Sequence, residues 1–309
     1  MHETERQKSL IVIGSRGSQL ALWQSRWVAA RLAELGHESR IEIIKTTGDK
    51  VLDVSLSKVG GKGLFTKEIE DALLAVTVDI AVHSLKDMPT EQPEGLLIAA
   101  TPVREDVRDA LVGKCLSALA EGDRIGTSSL RRSAQIRALK PGLEVLDIRG
   151  NLDTRLRKLD EGQYDAILLA AAGLTRLGWQ DRIAEHLSSD VMCPAAGQGA
   201  LAIETREDNK LARDVLAKLD DPATRHAVTA ERAFLNALGG GCQVPIGAHA
   251  VIDGDRLHLR GMVASPDGAT VLRGSRTGAA TDAAGIGRAL GEELLRKGAE
   301  QILADVART

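Results

Sequence analysis

A strand-then-helix alternation that runs and then starts again constrains this fold more than any other feature. Leu10 to Ile13 is a short apolar run of strand character. It leads through the turn Gly14-Ser15-Arg16-Gly17-Ser18 into an amphipathic helix over 19–35 that stops at Gly36. A second strand is expected over 40–45, a Gly-, Lys- and Asp-rich loop over 46–63, a helix over 65–75 and a buried strand over 79–83. The pattern restarts near Val103-Arg104-Glu105-Asp106, with strands over 124–126, 145–148 and 166–169, each followed by a helix. Such alternation predicts parallel sheets flanked by helices, with ligands at the C-terminal ends of the strands. Two similar α/β lobes with a cleft between them follow. The segment 195–219 is expected to cross back and finish the first lobe, by analogy with two-lobed binding folds.

From Asp221 the pattern changes. A helix over 223–238 precedes three alternating segments near 246–252, 256–264 and 269–276, with turn signals at Asp253-Gly254-Asp255 and Pro266-Asp267-Gly268, and a closing helix over 282–303. This predicts a small α+β domain. The expected boundaries are 9–103 with 195–219, then 104–194, then 220–309.

With 309 residues the chain can hold two or three domains, and its net charge of −3 gives no global reason to bind nucleic acid or a membrane. Aromatic residues make up 2%, which argues against stacking platforms for single strands. Cys115, Cys193 and Cys242 are an odd set without CxxC spacing, so neither a disulfide framework nor structural zinc is expected, and reduced thiols suit a cytoplasmic protein. Met1 to Lys8 is polar, lacks a signal-peptide core and reads as a frayed tail. No apolar stretch is long enough to span a bilayer.

Cys242 lies in Gly239-Gly240-Gly241-Cys242-Gln243-Val244-Pro245, where three glycines strip bulk from one flank and Pro245 stiffens the other. This presents the thiol on a loop. In Gly126-Thr127-Ser128-Ser129-Leu130-Arg131-Arg132 the hydroxyl residues are N-caps, which puts two arginines in the first turn of a helix, the end where the dipole disfavours cations. Either an anion binds there or acids from elsewhere pair with the arginines. Arg16 and Ser18 occupy the turn after the first strand, Arg149-Gly150-Asn151 and Arg155 recur after a later one, and Arg176 follows an apolar stretch. Between 124 and 158 nine basic residues face Glu144, Asp147 and Asp153, a local positive field suited to a polyanion. Lys86-Asp87 sits just past the strand over 79–83. His83 reads as a buried structural histidine. Gly60-Gly61-Lys62-Gly63-Leu64-Phe65 lacks the GxxxxGK[ST] spacing of a phosphate loop and reads as a lid with Lys62 at its tip. Phe65 either covers an aromatic ligand or anchors the next helix.

Together these segments closely resemble the hydroxymethylbilane synthases, also called porphobilinogen deaminases. The matching stretches include Arg16 to Ala21, Gly60 to Phe65, His83 to Pro89, Arg104 to Asp106, Gly126 to Arg132, Arg149 to Asn151, Ala171 to Leu174, Pro194 to Gly199 and Gly239 to Gly247. The resemblance implies two periplasmic-binding-protein-like α/β lobes plus a small α+β C-terminal domain with a three-stranded antiparallel sheet. It implies a transferase that joins four porphobilinogens head to tail with release of ammonia, giving hydroxymethylbilane for tetrapyrrole and haem biosynthesis. Cys242 matches the cysteine that carries a dipyrromethane cofactor through a thioether, and Asp87 the catalytic carboxylate. Lys86, Ser129, Arg131 and Arg132 match cofactor-anchoring positions. Arg16, Ser18, Arg149, Arg155 and Arg176 match positions that hold porphobilinogen or the growing linear tetrapyrrole. The resemblance calls for no metal, and neither nucleic acid nor membrane is an expected partner. A cytoplasmic monomer is expected. Cys193 stands where such sequences more often carry an aliphatic residue, and reads as a small core filler. A non-enzymatic anion-binding module would not need the thiol-bearing third domain, and a cysteine hydrolase would need a base beside the thiol.

Overall fold

The computed structural model describes residues 10–50, 65–240 and 244–307; Lys62, Cys242, the N-terminal tail and most of the 46–63 loop lie outside them. The first lobe opens with β1 (Ile11–Ser15), α1 (Gln19–Glu34) and β2 (Ser39–Ile43). The helical turn α2 (Thr47–Lys50), read from sequence as loop, comes next, followed by α3 (Lys67–Leu74), β3 (Ile80–Ser84) and β4 (Leu96–Ala100). Ser18 caps α1 by accepting a hydrogen bond from the Ala21 N–H, and Gly36 closes that helix at φ +85°.

The second lobe contains β5 (Asp109–Gly113), β6 (Arg124–Gly126), α4 (Leu130–Leu139), β7 (Glu144–Leu146), α5 (Leu152–Asp160), β8 (Ala166–Ala170), α6 (Ala171–Arg176) and β9 (Ile183–Leu187). β10 (Leu201–Arg206) returns to the first sheet, whose order is β2-β1-β3-β10-β4. The second sheet runs β7-β6-β8-β5-β9, so the two lobes repeat one topology. Neither sheet is wholly parallel. β10 is antiparallel to β3 and β4, and β5 is antiparallel to β8 and β9. Strands such as Ala166-Ile167-Leu168-Leu169 are buried along their length because helices cover both faces, which erases the alternation that marks direction-neutral half-buried strands.

After α7 (Lys210–Leu216), α8 (Pro222–Ala237) is started by Asp221, whose carboxylate accepts from the Thr224 N–H at 2.8 Å, with Pro222 in the first turn. The antiparallel sheet β11 (Ile246–Asp253), β12 (Arg256–Ala264) and β13 (Val271–Ala279) packs one face on α8 and α9 (Ala283–Leu294) around Phe234, Leu257, Leu259 and Leu290. The expected fold class of two α/β lobes and a small α+β domain is the observed one. The closing helix is not continuous: Gly298, at φ +105°, separates α9 from α10 (Glu300–Ala307). Cys193 is buried among Ala134, Met262 and Ala264, and burial pushes its thiol up to about 12, as suits an inert filler.

Candidate active site

β3 ends at Ser84, and a single 3₁₀ turn over Leu85–Asp87 turns the chain towards the second lobe. Leu85 is buried and anchors this turn, Lys86 is half-buried and Asp87 is exposed. Among the described residues no hydrogen bond reaches the Asp87 carboxylate. On the facing lobe, Ser129 caps α4 by accepting from the Arg132 N–H, which places Arg131 and Arg132 in the first turn, both buried.

These two arginines are paired by an acid from elsewhere, the second of the alternatives open at the sequence level. Asp109, fully buried at the start of β5, accepts from Arg131 Nη1 at 2.6 Å and from Arg132 Nε at 2.9 Å. Arg131 Nη1 also donates to the Cys193 carbonyl at 2.6 Å, and Arg132 Nη1 to the Leu168 carbonyl at 3.1 Å. Although burial pushes the other way, the two guanidiniums hold the Asp109 carboxyl well below the usual carboxylate range. Gln198 bridges the lobes: its Nε2 donates to Asp109 at 2.9 Å, while its Oε1 receives Lys86 Nζ and Arg132 Nη2 at 3.4 Å each. Sequence reasoning singled out neither Asp109 nor the bridging role of Gln198. The signals were present as an acid opening an apolar run and as the polar residue within Gly197-Gln198-Gly199.

Enclosed positive charge dominates this cleft. Burial pulls the Lys86 ammonium down to about 8, with Arg132 and Arg131 adding to the fall against the opposing pull of Asp87 and Asp109. Burial likewise pulls Arg155 down to about 10, helped by Arg132 and Arg149. Lys86, Arg131, Arg132, Arg149 and Arg155 thus face Asp87, Asp109 and Asp147 within one electrostatic neighbourhood. Cations outnumber the carboxylates, which is the condition for binding an anion. Arg149 Nε donates to Asp147 at 2.8 Å and Arg155 Nε to the Gly150 carbonyl at 2.8 Å.

Arg176 lies on the same interface. Arg176 donates to the Gly199 carbonyl at 2.7 Å, stands 5.9 Å from the Trp23 ring centre of α1, and is drawn down to about 10 by burial. Arg16 stacks 4.1 Å from the ring centre of Phe65, so Phe65 has a cation–π partner that neither sequence reading foresaw. The Ser18 hydroxyl is engaged as the α1 cap. His83 is buried against Glu204. Among the described residues no group of three or more His, Cys, Asp or Glu could hold a metal, and no helix is long and apolar enough to cross a membrane.

Comparison with known proteins gives this cleft a context. A family model described as porphobilinogen deaminase, dipyrromethane cofactor binding domain, matches residues 11–214, and one described as porphobilinogen deaminase, C-terminal domain, matches 226–296. The porphobilinogen deaminase of Syntrophobacter fumaroxidans is 56% identical over 304 residues, covering 97% of this chain and 98% of its own. That of Carboxydothermus hydrogenoformans is 50% identical over 306 residues, covering 97% and 98%. Among solved structures, a periplasmic substrate-binding protein of an ABC transporter from Coxiella burnetii aligns over 70% of this chain and 94% of its own, with 14% identity and a TM-score of 0.43. With both family models in chain order and identity at this level over nearly the whole length, the chain belongs to the porphobilinogen deaminase family.

Proposed function

We propose that the cleft between the lobes is where four porphobilinogens are joined head to tail, on a dipyrromethane carried by Cys242. The observation that carries this reading is the enclosed excess of cations beside an exposed Asp87 whose carboxylate accepts no hydrogen bond among the described residues. Each pyrrole unit brings an acetate and a propionate, so a growing chain adds two negative charges per ring. Guanidiniums and an ammonium whose pKa values are depressed by burial and by one another are stabilised when those carboxylates arrive. The residues therefore fit the group the family carries: Lys86, Ser129, Arg131 and Arg132 would hold it. The dipyrromethane, when bound, supplies the ring carbon to which the first unit is joined.

Arg16, Ser18, Arg149, Arg155 and Arg176 bind and orient the incoming unit and the lengthening chain, with Phe65 stacked on Arg16. Each joining forms one carbon–carbon bond, breaks one carbon–nitrogen bond and releases one ammonia. Loss of ammonia leaves positive charge shared with a ring nitrogen. A carboxylate held at that nitrogen stabilises the charge more in the transition state than before it. Asp87 is that carboxylate, and its oxygens also accept the proton released at each joining. The proposed domains are 9–103 with 195–219, then 104–194, then 220–309, acting as a cytoplasmic monomer.

Intact-mass spectrometry of the purified protein tests this. The expected result is a mass excess of two linked pyrrole units that Cys242→Ala lacks, together with an Asp87→Ala protein that folds and cannot extend the chain. An unmodified mass that added porphobilinogen fails to change overturns the reading in favour of an anion-binding module.

A further inference from the structure

Among the described residues two glutamates are wholly enclosed, and they are furnished very differently. Glu231 of α8 receives N–H groups from Arg104 at 2.8 and 2.9 Å, Gly197 at 2.7 Å and Ala250 at 2.8 Å. Glu204 of β10 is equally buried, yet neither of its oxygens has a hydrogen-bond partner among the described residues. Its ionic neighbour is His83, whose Nε2 stands 3.2 Å from Glu204 Oε2 without forming a hydrogen bond. Glu70 of α3 is 7% exposed, and its Oε1 is also unbonded.

The sheet brings these groups together. β10 runs antiparallel to β3 with Ala202 opposite His83 and Glu204 opposite Ala81, so His83 and Glu204 share one face. α3 packs on that face through Ile69 and Leu73 against Val78 and Ala81. Among the described residues, the charged and titratable groups facing Glu70 are Glu204 of β10, His83 of β3, and Lys67 and Asp71 of its own helix. Ionised carboxylates without donors are expensive to bury, and neighbouring acids in one enclosure titrate as a set. Burial raises the Glu70 carboxyl above its usual value and the Glu204 charge adds to the rise, against the opposing pull of the Thr66 hydroxyl and His83.

We propose that Glu70, His83 and Glu204 form one proton-sharing unit that docks α3 on β3 and thereby positions Lys86 and Asp87 at the end of that strand. Only the kinetic consequence rests on the role given to Asp87. A raised carboxyl stabilises the fold at low pH, and that contribution is lost as pH rises through its folded value. On the alkaline side two facing carboxylates repel, α3 loosens, and the strand end loses its support.

Infrared titration of the holoenzyme reads the unit directly. A protonated carboxylic C=O stretch is expected to persist above the pH at which an exposed glutamate ionises, and it should be absent in Glu70→Gln. The pH profile of kcat reads the coupling: glutamine is neutral and close in shape, so in Glu70→Gln the alkaline limb should shift upward with KM unchanged. A wild-type protein without the protonated band, or a band that survives in both Glu70→Gln and Glu204→Gln, overturns the unit. Loss of the band with superimposable kcat profiles overturns the positioning role. If Glu70→Gln does not fold, the wild-type titration against Glu204→Gln decides. Normal turnover by Asp87→Ala would sink the functional reading while leaving the infrared result standing.

Discussion

Asp109 holds two buried guanidiniums on one carboxylate, and removing that charge strands both. Asp109→Asn is expected to destabilise the protein by about 3–5 kcal/mol, measured by urea denaturation, because an uncompensated buried cation costs far more than the pair contributes. Lys86 behaves in the opposite sense. Its folded value of about 8 lies below the ordinary 10.5. Between those values the unfolded chain is protonated and the folded protein is not. Stability of the cofactor-free Cys242→Ala protein should therefore rise with pH across that window. Lys86→Met should abolish the rise, and a flat profile in both proteins would disprove it. The placement of Lys86, Arg131 and Arg132 just past strand ends was legible in the sequence. That Asp109 would claim Arg131 and Arg132 was not, because the partner lies 22 residues upstream on a strand whose position only the sheet order decides.

The starts of α1, α4 and α8 were legible because their causes are local, whereas the strands β4, β5 and β9 were not read from the sequence. Ser18, Ser129 and Asp221 each supply the oxygen that satisfies an early N–H of α1, α4 and α8. The direction of β10 and β5 was not legible, since a run of buried apolar residues reads the same in either sense. The end of α3 carries a local cost that sequence reasoning also passed over. Val76 sits at φ +61°, a left-handed conformation poorly suited to a β-branched side chain, and it is 63% exposed. Val76→Asn is therefore expected to stabilise the protein by about 1 kcal/mol, because asparagine tolerates that conformation and little buried surface is lost. An unchanged or lowered denaturation midpoint would show that the strain is relieved in solution.

Three segments of the chain meet at Glu231, where α8 of the small domain receives Arg104 from the crossing between the lobes, Gly197 from the returning segment and Ala250 from β11. Arg104 adds a bond from Nε to the Gln198 carbonyl at 2.8 Å, so one residue ties the junction to the bridge beneath Lys86. Arg104→Ala should cost about 3–5 kcal/mol and should split thermal unfolding into separate transitions for the lobes and the small domain. A single calorimetric transition would show that other contacts carry the coupling. The sequence by itself determined much of the strand-and-helix grammar, the caps and turns, the small α+β domain and the gathering of arginines at strand ends, since each depends on residues near one another along the chain. Only the tertiary structure decided which acid meets which arginine, that each sheet contains an antiparallel strand, and that Glu70, His83 and Glu204 share one enclosure. Those outcomes depend on strand order and on which faces are buried together, as when Gln198 reaches Asp109 across 89 residues of chain, and no local pattern encodes them.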